Sequence, residues 1–482
     1  METSKSSIGV ELEFMIAVLE AEQDLDIPEI FENSTGAPII LPPGVPRMGS
    51  AALEIIWRRG KRTLANAVAE RRGARVIQSE EEALSSPDGL HLRNYNEWTF
   101  SSDPSVYLPP AESQQRYMNN YRWYPVEIAS PALWATEESW EEIRNVVQAF
   151  KDEYWIITPS TAGMHYHYGN GKEYIPFVKL RRMAALLVAV DPLLVQLHPQ
   201  RKANEYCLSN RLYSRIAHGT PAAATAREIG AEYVEAEAEI PGNRQEPKPV
   251  ARPFRRRTPN LLVPFKRGQL EGYEFDELFY HFFRESGYDD YNVNDPNPRP
   301  LAIPYAVREI LRSTNAPTVA ELMRYSALIT DRPAYSFKDY TFHFYKQMVV
   351  EDDGQNDIHY QHKRTVEFRQ MASTADPSCI VAHGKIIVRL CEIAAEMELE
   401  ELFQVVLDCA VAEANGTWFD VFDLLAELGL EAEAKVLQYP LARIRGETVP
   451  ENIVDDQKKA EAAENGTGQR PSWLRWLGRG SG

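Results

Sequence analysis

Cysteine is scarce in this chain, and no two cysteines lie close together in the sequence. Cys207, Cys379, Cys391 and Cys409 form no CxxC pair and lack the density of a disulfide framework. We therefore expect four reduced thiols in the core. The N-terminus also lacks a basic region followed by a long apolar run, so we predict no secretory signal and a cytoplasmic protein.

Long apolar runs and excess positive charge are missing as well. The longest apolar stretch, MAALLVAVDPLLVQL, contains Asp191 and Pro192 and is too short to cross a bilayer. The chain has 52 Lys and Arg against 70 Asp and Glu, a net charge of −18, which argues against nucleic acid or an anionic membrane as the main partner. There is no GxxxxGK[ST] loop, so this signal for bound ATP is absent.

What is present is a mixture of helical periodicity and apolar alternation. At 482 residues and 44% hydrophobic content the chain can bury a large core, and the mixed pattern predicts an α+β or α/β protein. The spacing of apolar residues predicts helices over 137–150, 175–190, 379–397 and 399–413.

Three segments differ in composition from this core. Apolar periodicity is lost at about residues 220–260, which predicts a flexible insertion there, and the polar composition of 451–482 predicts a mobile tail. Between the core and the tail, we predict a C-terminal helical extension at residues 411–450. Within the tail, the apolar group Trp473, Leu474, Trp476 and Leu477 is a candidate for a short helix that docks on the protein.

Polar pairs recur two residues apart in strand-like runs, so both members of a pair face the same side of a strand. The runs are IGVELEF with Glu11 and Glu13, AGMHYHYG with His165 and His167, and TVEFRQ with Glu367 and Arg369. A further run, YPVEIASP, carries Glu127 alone.

Each run by itself has an ordinary explanation as a solvated strand face, and Glu367 with Arg369 can be a surface ion pair. Their joint occurrence changes this interpretation. Carboxylates on adjacent strands would repel one another unless divalent cations lay among them, and oxygen-rich sites suit Mg²⁺ or Mn²⁺. The nearby arginine then suits a phosphate group.

These motifs occur in an order that resembles a known family. GVELEF, SSDPSV, VEIASPAL, TAGMHYHYG and TVEFRQMAST resemble the fungal and bacterial amidoligases related to glutamate–cysteine ligase and glutamine synthetase. The resemblance extends over about residues 8–410. It implies an α+β catalytic domain whose curved, mainly antiparallel sheet forms a half-barrel, with helices on the outer face.

The resemblance also implies an activity. Members of this superfamily join a carboxylate, from a small molecule or peptide, to an amine with ATP and Mg²⁺ or Mn²⁺, through an acyl phosphate. Carried onto this sequence, the implied metal ligands are Glu11, Glu13, Glu127, His165 and Glu367. The implied catalytic residues are Glu367 and Arg369, and Arg369 and His167 are implied to contact the nucleotide.

Arg211, in the polar segment QRKANEYCLSNR, is a candidate for ATP or carboxylate contacts and equally for a solvated surface. Met371 and Ser373 occupy positions where relatives commonly have histidine and glycine. One alternative interpretation is therefore a catalytically inactive protein that binds nucleotide or metal. A second alternative is a cupin-like β-barrel metalloprotein that uses His165 and His167.

Overall fold

The computed structural model describes most of the chain between residues 6 and 444. The described ranges are 6–21, 27–47, 49–72, 95, 97–113, 121–171, 173–201, 206–217, 219–230, 302–324, 332–341, 364–415 and 419–444. Within these ranges the fold is a mixture of helices and one large sheet. None of the helices found there combines the length and apolar character needed to cross a membrane.

Nine strands in the described ranges form the sheet. They are β1 (Ser7–Glu20), β2 (Ile39–Leu41), β3 (Thr99–Ser101), β4 (Arg122–Ala129), β5 (Leu133–Trp134), β6 (Ile156–Ile157), β7 (Gly163–Gly169), β8 (Tyr335–Ser336) and β9 (Val366–Ala372). The order is β3-β4-β1-β7-β9-β8, and β2, β5 and β6 also pair with β1. All pairs are antiparallel except β1 with β2, and the sheet does not close.

Helices in the described ranges fall between and after the strands. They are α1 (Ser50–Arg72), α2 (Pro110–Ser113), α3 (Glu137–Glu153), α4 (Phe177–Leu194), α5 (Asn210–Tyr213), α6 (Ala222–Glu228), α7 (Ile303–Leu311), α8 (Ala316–Met323), α9 (Pro377–Glu396), α10 (Leu399–Asn415), α11 (Val421–Glu427) and α12 (Glu431–Ile444). Short 3-10 helices span Glu29–Phe31, Val195–Leu197, Pro199–Arg201 and Lys338–Tyr340.

Strand β1 lies in the middle of the sheet and has two unlike faces. Its even-numbered residues from Ile8 to Val18 are apolar and buried in the main hydrophobic core, together with residues of α3, α4 and α9. Its odd-numbered residues include Glu11 and Glu13, which point to the opposite face. Two β1 partners, β4 and β7, follow the same alternation, so the whole centre of the sheet has one apolar and one polar face.

The polar face becomes apolar farther along β1. After Glu13 the odd-numbered residues are apolar, and they lie in a second buried cluster that includes stacked aromatic rings. This cluster contains Met15, Ala17, Leu19, Phe31, Val106, Tyr121, Trp123, Trp155, Ile157 and Ala162. The polar part of this face is therefore confined to the first half of β1.

Helices cover the apolar face closely. Tyr166 of β7 is fully buried, and its hydroxyl donates to the carbonyl of Ile380 on α9 at 2.6 Å. On the same helix, Gly384 allows close contact with α3, since a Cβ there would lie 2.6 Å from the ring of Trp140. This packing keeps the even-numbered face of β1 away from water and leaves the carboxylates on the other side.

The elements that the sequence predicted are present in the structure. The mixed α and β class, the mainly antiparallel sheet and all four predicted helices are confirmed. The barrel expected for the cupin-like alternative does not form in the described part of the chain, because its sheet is open. All four cysteines are buried and free, and burial raises the pKa of Cys391 and Cys409.

The structure adds detail near two predicted boundaries. Residues 222–228, at the start of the predicted insertion, form helix α6, because Ala222, Thr225 and Ala226 are small enough to pack against α8. The predicted boundary after residue 410 lies within α10, and apolar residues of α10, α11 and α12 belong to the main core. The division into domains stays a prediction. Residues 231–260 and 451–482 lie outside the described ranges.

A pair of buried histidines makes the fold sensitive to acid. The rings of His198 and His383 lie 4.7 Å apart, and the backbone N–H of Ala372 donates to His198 Nδ1 at 3.2 Å, which requires a neutral ring nitrogen. Burial, with the charges of His383 and Arg201, holds the pKa of His198 well below its usual range. Burial lowers the pKa of His383 to about 3.

We predict a loss of stability as the pH falls from about 6.5 toward about 3, because the unfolded chain takes up protons that the folded chain excludes. Each histidine should contribute a loss of about 1 kcal/mol between pH 7 and 5.5. Urea unfolding at both pH values should show His383→Gln with a smaller pH dependence than the parent. An unchanged pH dependence in that variant would contradict the assignment.

Candidate metal and phosphate site

The polar face of the sheet centre brings together side chains from four strands. We call it the carboxylate face, defined by Glu11 and Glu13 of β1 and the residues aligned with them on β4, β7 and β9. Residues directly opposite each other in a ladder point to the same side of the sheet. The aligned pairs are Glu13 with Glu127, Glu11 with His165, and His167 with Glu367.

Arg369 lies on this face two residues after Glu367, and an irregularity between β7 and β9 follows it. Met164 pairs with Met371 and Tyr166 pairs with Phe368, so two steps along β7 match three steps along β9. Such a β-bulge breaks the strict alternation of side chains. Phe368 and Met371 are both buried in the core, while Arg369 lies on the carboxylate face beside Glu367.

The carboxylate face contains two groups of metal-ligand side chains. One is formed by Glu11, His167 and Glu367, and the other by Glu13, Asp103 and Glu127. Within each group the ligand atoms lie within 4.8 Å of one another. Both groups are built on β1, because Glu11 belongs to one and Glu13 to the other.

Asp103 was not among the predicted ligands. It lies in the loop after β3, where its carboxylate accepts the N–H of Ser105 at 2.7 Å. The sequence SSDPS offered a signal only as part of the family resemblance, because Asp103 stands alone and follows no strand alternation. Its proximity to Glu127 comes from the pairing of β3 with β4, which is a long-range contact.

His165 lies between the two groups. Its Nδ1 is 3.4 Å from Glu11 Oε2 and 3.5 Å from Glu13 Oε1. The side chain is 3% exposed, and its Nε2 is buried without a hydrogen-bond partner in the described residues. The nitrogen that faces the two carboxylates is therefore Nδ1, and the buried Nε2 lies on the other side of the ring, near Gly163.

Hydrogen bonds hold the ligand side chains in place. Thr365 Oγ1 is 3.2 Å from His167 Nδ1, and the other ring nitrogen, Nε2, is 3.0 Å from Glu11 Oε1. The N–H of Gly163 donates to Glu13 Oε2 at 2.7 Å. Such supporting contacts orient metal ligands and fix the tautomer of a histidine.

Glu367 and Arg369 form a partly buried ion pair. The guanidinium of Arg369 donates to Glu367 Oε1 through Nη1 and to the carbonyl of Tyr206 through Nε at 3.2 Å. Burial alone would raise the pKa of Glu367, but the charges of Arg369, His167 and His165 outweigh it and lower the pKa. Burial would lower the pKa of Arg369, but the charge of Glu367 and its hydrogen bond raise it above its usual value. Both groups are therefore charged at neutral pH.

Arg201 supports the face from within the protein. It is 2% exposed, and its Nη1 donates to the carbonyl of Ala162 at 2.7 Å. Its Nη2 reaches the carbonyl of Arg369 at 3.4 Å, on the bulged part of β9. Arg201 thus links the start of β7 to β9 at the point where their pairing is irregular.

Arg211 lies away from this face. Its side chain is fully buried, and Nη2 donates to both carboxylate oxygens of Glu413 on α10 at 2.9 Å. This ion pair joins α5 to α10. The contact of Arg211 with ATP stays a prediction, and the structure does not bring Arg211 together with the carboxylate face.

Met371 and Ser373, the two residues that differ from the family pattern, have different surroundings in the structure. Met371 is buried in the core beside Met164 and does not lie on the carboxylate face. Ser373 donates its hydroxyl to the backbone carbonyl of Glu13. Ser373 therefore touches the strand that carries the ligands, through its backbone.

Gly163 leaves space for two side chains at the start of β7. A Cβ at this position would lie 2.9 Å from Arg201 Nη2 and 3.0 Å from His165 Nε2. We predict that Gly163→Ala lowers the free energy of unfolding by about 1–3 kcal/mol, since both neighbours are buried and must move. Gly9→Ala is the matched control, because its Cβ would meet the nearest atom, the His167 Cβ, at 3.6 Å. Equal effects of both substitutions in urea unfolding would contradict the prediction.

Comparison with known proteins gives one result that bears on this site. A family model described as "Putative amidoligase enzyme" matches residues 4–245, a range that carries Glu11, Glu13, Asp103, Glu127, His165 and His167. Curated proteins and solved structures give no match. The family match covers half of the chain and includes β1, β4 and β7, on which most of the carboxylate face is built. The chain therefore belongs to the amidoligase family.

Proposed function

We propose that this protein is an ATP-dependent carboxylate–amine ligase that forms an amide through an acyl phosphate. The observation that carries the proposal is the pair of three-residue ligand groups, side by side on one sheet face, next to the guanidinium of Arg369. The family match supports amide-bond formation as the reaction class.

Two divalent cations fit the ligand groups. Glu13, Asp103 and Glu127 offer oxygen atoms alone, as Mg²⁺ prefers, while Glu11, His167 and Glu367 add an imidazole that Mn²⁺ also accepts. The five carboxylates would repel one another without cations. When bound, such cations would neutralise the phosphate charge of ATP.

The reaction requires no nucleophile from the protein. A carboxylate oxygen of the acid substrate attacks the γ-phosphorus of ATP, and ADP leaves. The amine nitrogen then attacks the acyl carbon, loses a proton, and phosphate leaves with the electron pair of the broken C–O bond. The four buried cysteines agree with this scheme, because burial of a thiol disfavours its reactive thiolate.

Arg369 and Glu367 have complementary roles in this proposal. Arg369 is a fixed cation whose planar guanidinium can donate to the oxygens of the transferred phosphoryl group. Glu367 orients that guanidinium and belongs to one ligand group at the same time. His167 is placed by Thr365 to offer Nε2 toward Glu11 and its cation.

The acid substrate can be a small molecule or a peptide carboxylate, and the second substrate is an amine. We propose neither nucleic acid nor membrane as a partner, in agreement with the net charge of −18.

Thermal unfolding tests the cations and the nucleotide together. ATP with Mg²⁺ should raise the unfolding midpoint by about 3 °C or more beyond either alone, because the cation must lie between phosphates and carboxylates. Asp103→Asn and Glu127→Gln should reduce this combined effect. Glu54→Gln, an exposed carboxylate on α1, is the control that should keep it. Equal shifts with and without Mg²⁺ would count against the proposal.

Turnover tests the ligase reaction itself. With ATP, Mg²⁺ and a broad mixture of acids and amines, the protein should release ADP only when a suitable acid and amine are both present. Arg369→Lys keeps the positive charge but loses the planar guanidinium that can donate two parallel hydrogen bonds, so the rate of ADP release should fall about 100-fold or more. The control Glu54→Gln should release ADP at the rate of the parent. ATP binding without ADP release above the Arg369→Lys background would instead identify an inactive nucleotide-binding protein.

A further inference from the structure

Helix α10 has an exposed apolar stripe that the proposed function does not use. Leu399, Phe403, Leu407 and Val411 recur at every fourth position and are 53%, 42%, 50% and 41% exposed. This spacing keeps them on one side of the helix, over about 18 Å. The opposite side of α10 is anchored in the core by residues such as Leu402, Val405 and Cys409.

The stripe accounts for much of the exposed apolar surface in the described residues. Of the twelve large apolar side chains exposed there, four lie on this one helix. Single exposed apolar residues are common, but a continuous row indicates an interaction surface. The same helix carries Glu400, Glu401, Asp408 and Glu413 and has no lysine or arginine.

The charge of α10 limits what can cover the stripe. A second copy of the chain would bring one acidic helix against another, and like charges would oppose that contact. A segment that is both apolar and basic fits better. The sequence contains one, RPSWLRWLGR at 470–479, with Trp473, Leu474, Trp476 and Leu477 at the spacing of a helix face.

The segment also has suitable charge and reach. Its basic residues are Arg470, Arg475 and Arg479, and residues 465–482 contain no aspartate or glutamate. Residues 445–469 separate it from the end of α12 and, fully extended, could span about 80 Å. That exceeds the diameter of about 60 Å for a compact chain of this size, so α10 is within reach.

We propose that the C-terminal segment 470–479 docks on the apolar stripe of α10 in the same molecule. Its tryptophan and leucine side chains cover Phe403 and Leu407, and its arginines lie near the acidic residues of α10. Tethering assists this contact, because the chain holds the segment at a high effective concentration.

A disulfide crosslink in the full-length protein tests the docking. The native cysteines in the described residues are buried, so cysteines introduced by Gln404→Cys on α10 and Ser472→Cys in the segment can be oxidised selectively. We expect an intramolecular crosslink, seen as a 404–472 disulfide peptide in monomeric protein. The control pair is Glu138→Cys with Ser472→Cys, since Glu138 is fully exposed on α3. Equal crosslinking of both pairs would overturn the proposal.

Two double variants test whether the crosslink depends on apolar contact between the stripe and the segment. Phe403→Ser with Leu407→Ser, at exposed positions, should leave the unfolding midpoint nearly unchanged and lower the 404–472 crosslink at least threefold. Trp473→Ser with Trp476→Ser should do the same. A crosslink found between two chains, or one unaffected by either pair, would overturn docking within one molecule. These readouts are independent of ATP and of amide formation.

Discussion

The register of β1 is the constraint on which the rest of the site depends. Its even-numbered residues must be buried against the helices, and this forces Glu11 and Glu13 to the other face. A slip of one residue would bury both carboxylates in the core and expose the apolar set. The free energy of burying the apolar face therefore also fixes the orientation of the carboxylates.

The same register divides the carboxylates into two groups rather than one. Glu13 aligns with Glu127 on β4, while Glu11 aligns with His165 on β7 and contacts His167. Neighbouring strands lie about 4.8 Å apart, so the two groups are adjacent yet distinct. A single strand with two same-face glutamates thus supplies one side chain to each of the two ligand groups.

Buried residues border the carboxylate face at the second half of β1 and at the bulge of β9. The second cluster, with Trp123 and Trp155, continues the same sheet face beyond Glu13. Arg201 and the bulge of β9 close the other side through backbone contacts. Low exposure strengthens each electrostatic interaction in the site, and it raises the cost of leaving His165 Nε2 unsatisfied.

The sequence alone determined the strands with polar pairs, four of the long helices and the two faces of β1, because these depend on local periodicity. Tertiary structure decided which residues meet. Asp103 lies beside Glu13 and Glu127 because β3 pairs with β4, and Arg211 forms its ion pair with Glu413. Neither contact follows from the spacing of residues in the sequence. The bulge that turns Met371 to the core, although it has the same parity as Glu367 and Arg369, was likewise set by the pairing of β7 with β9.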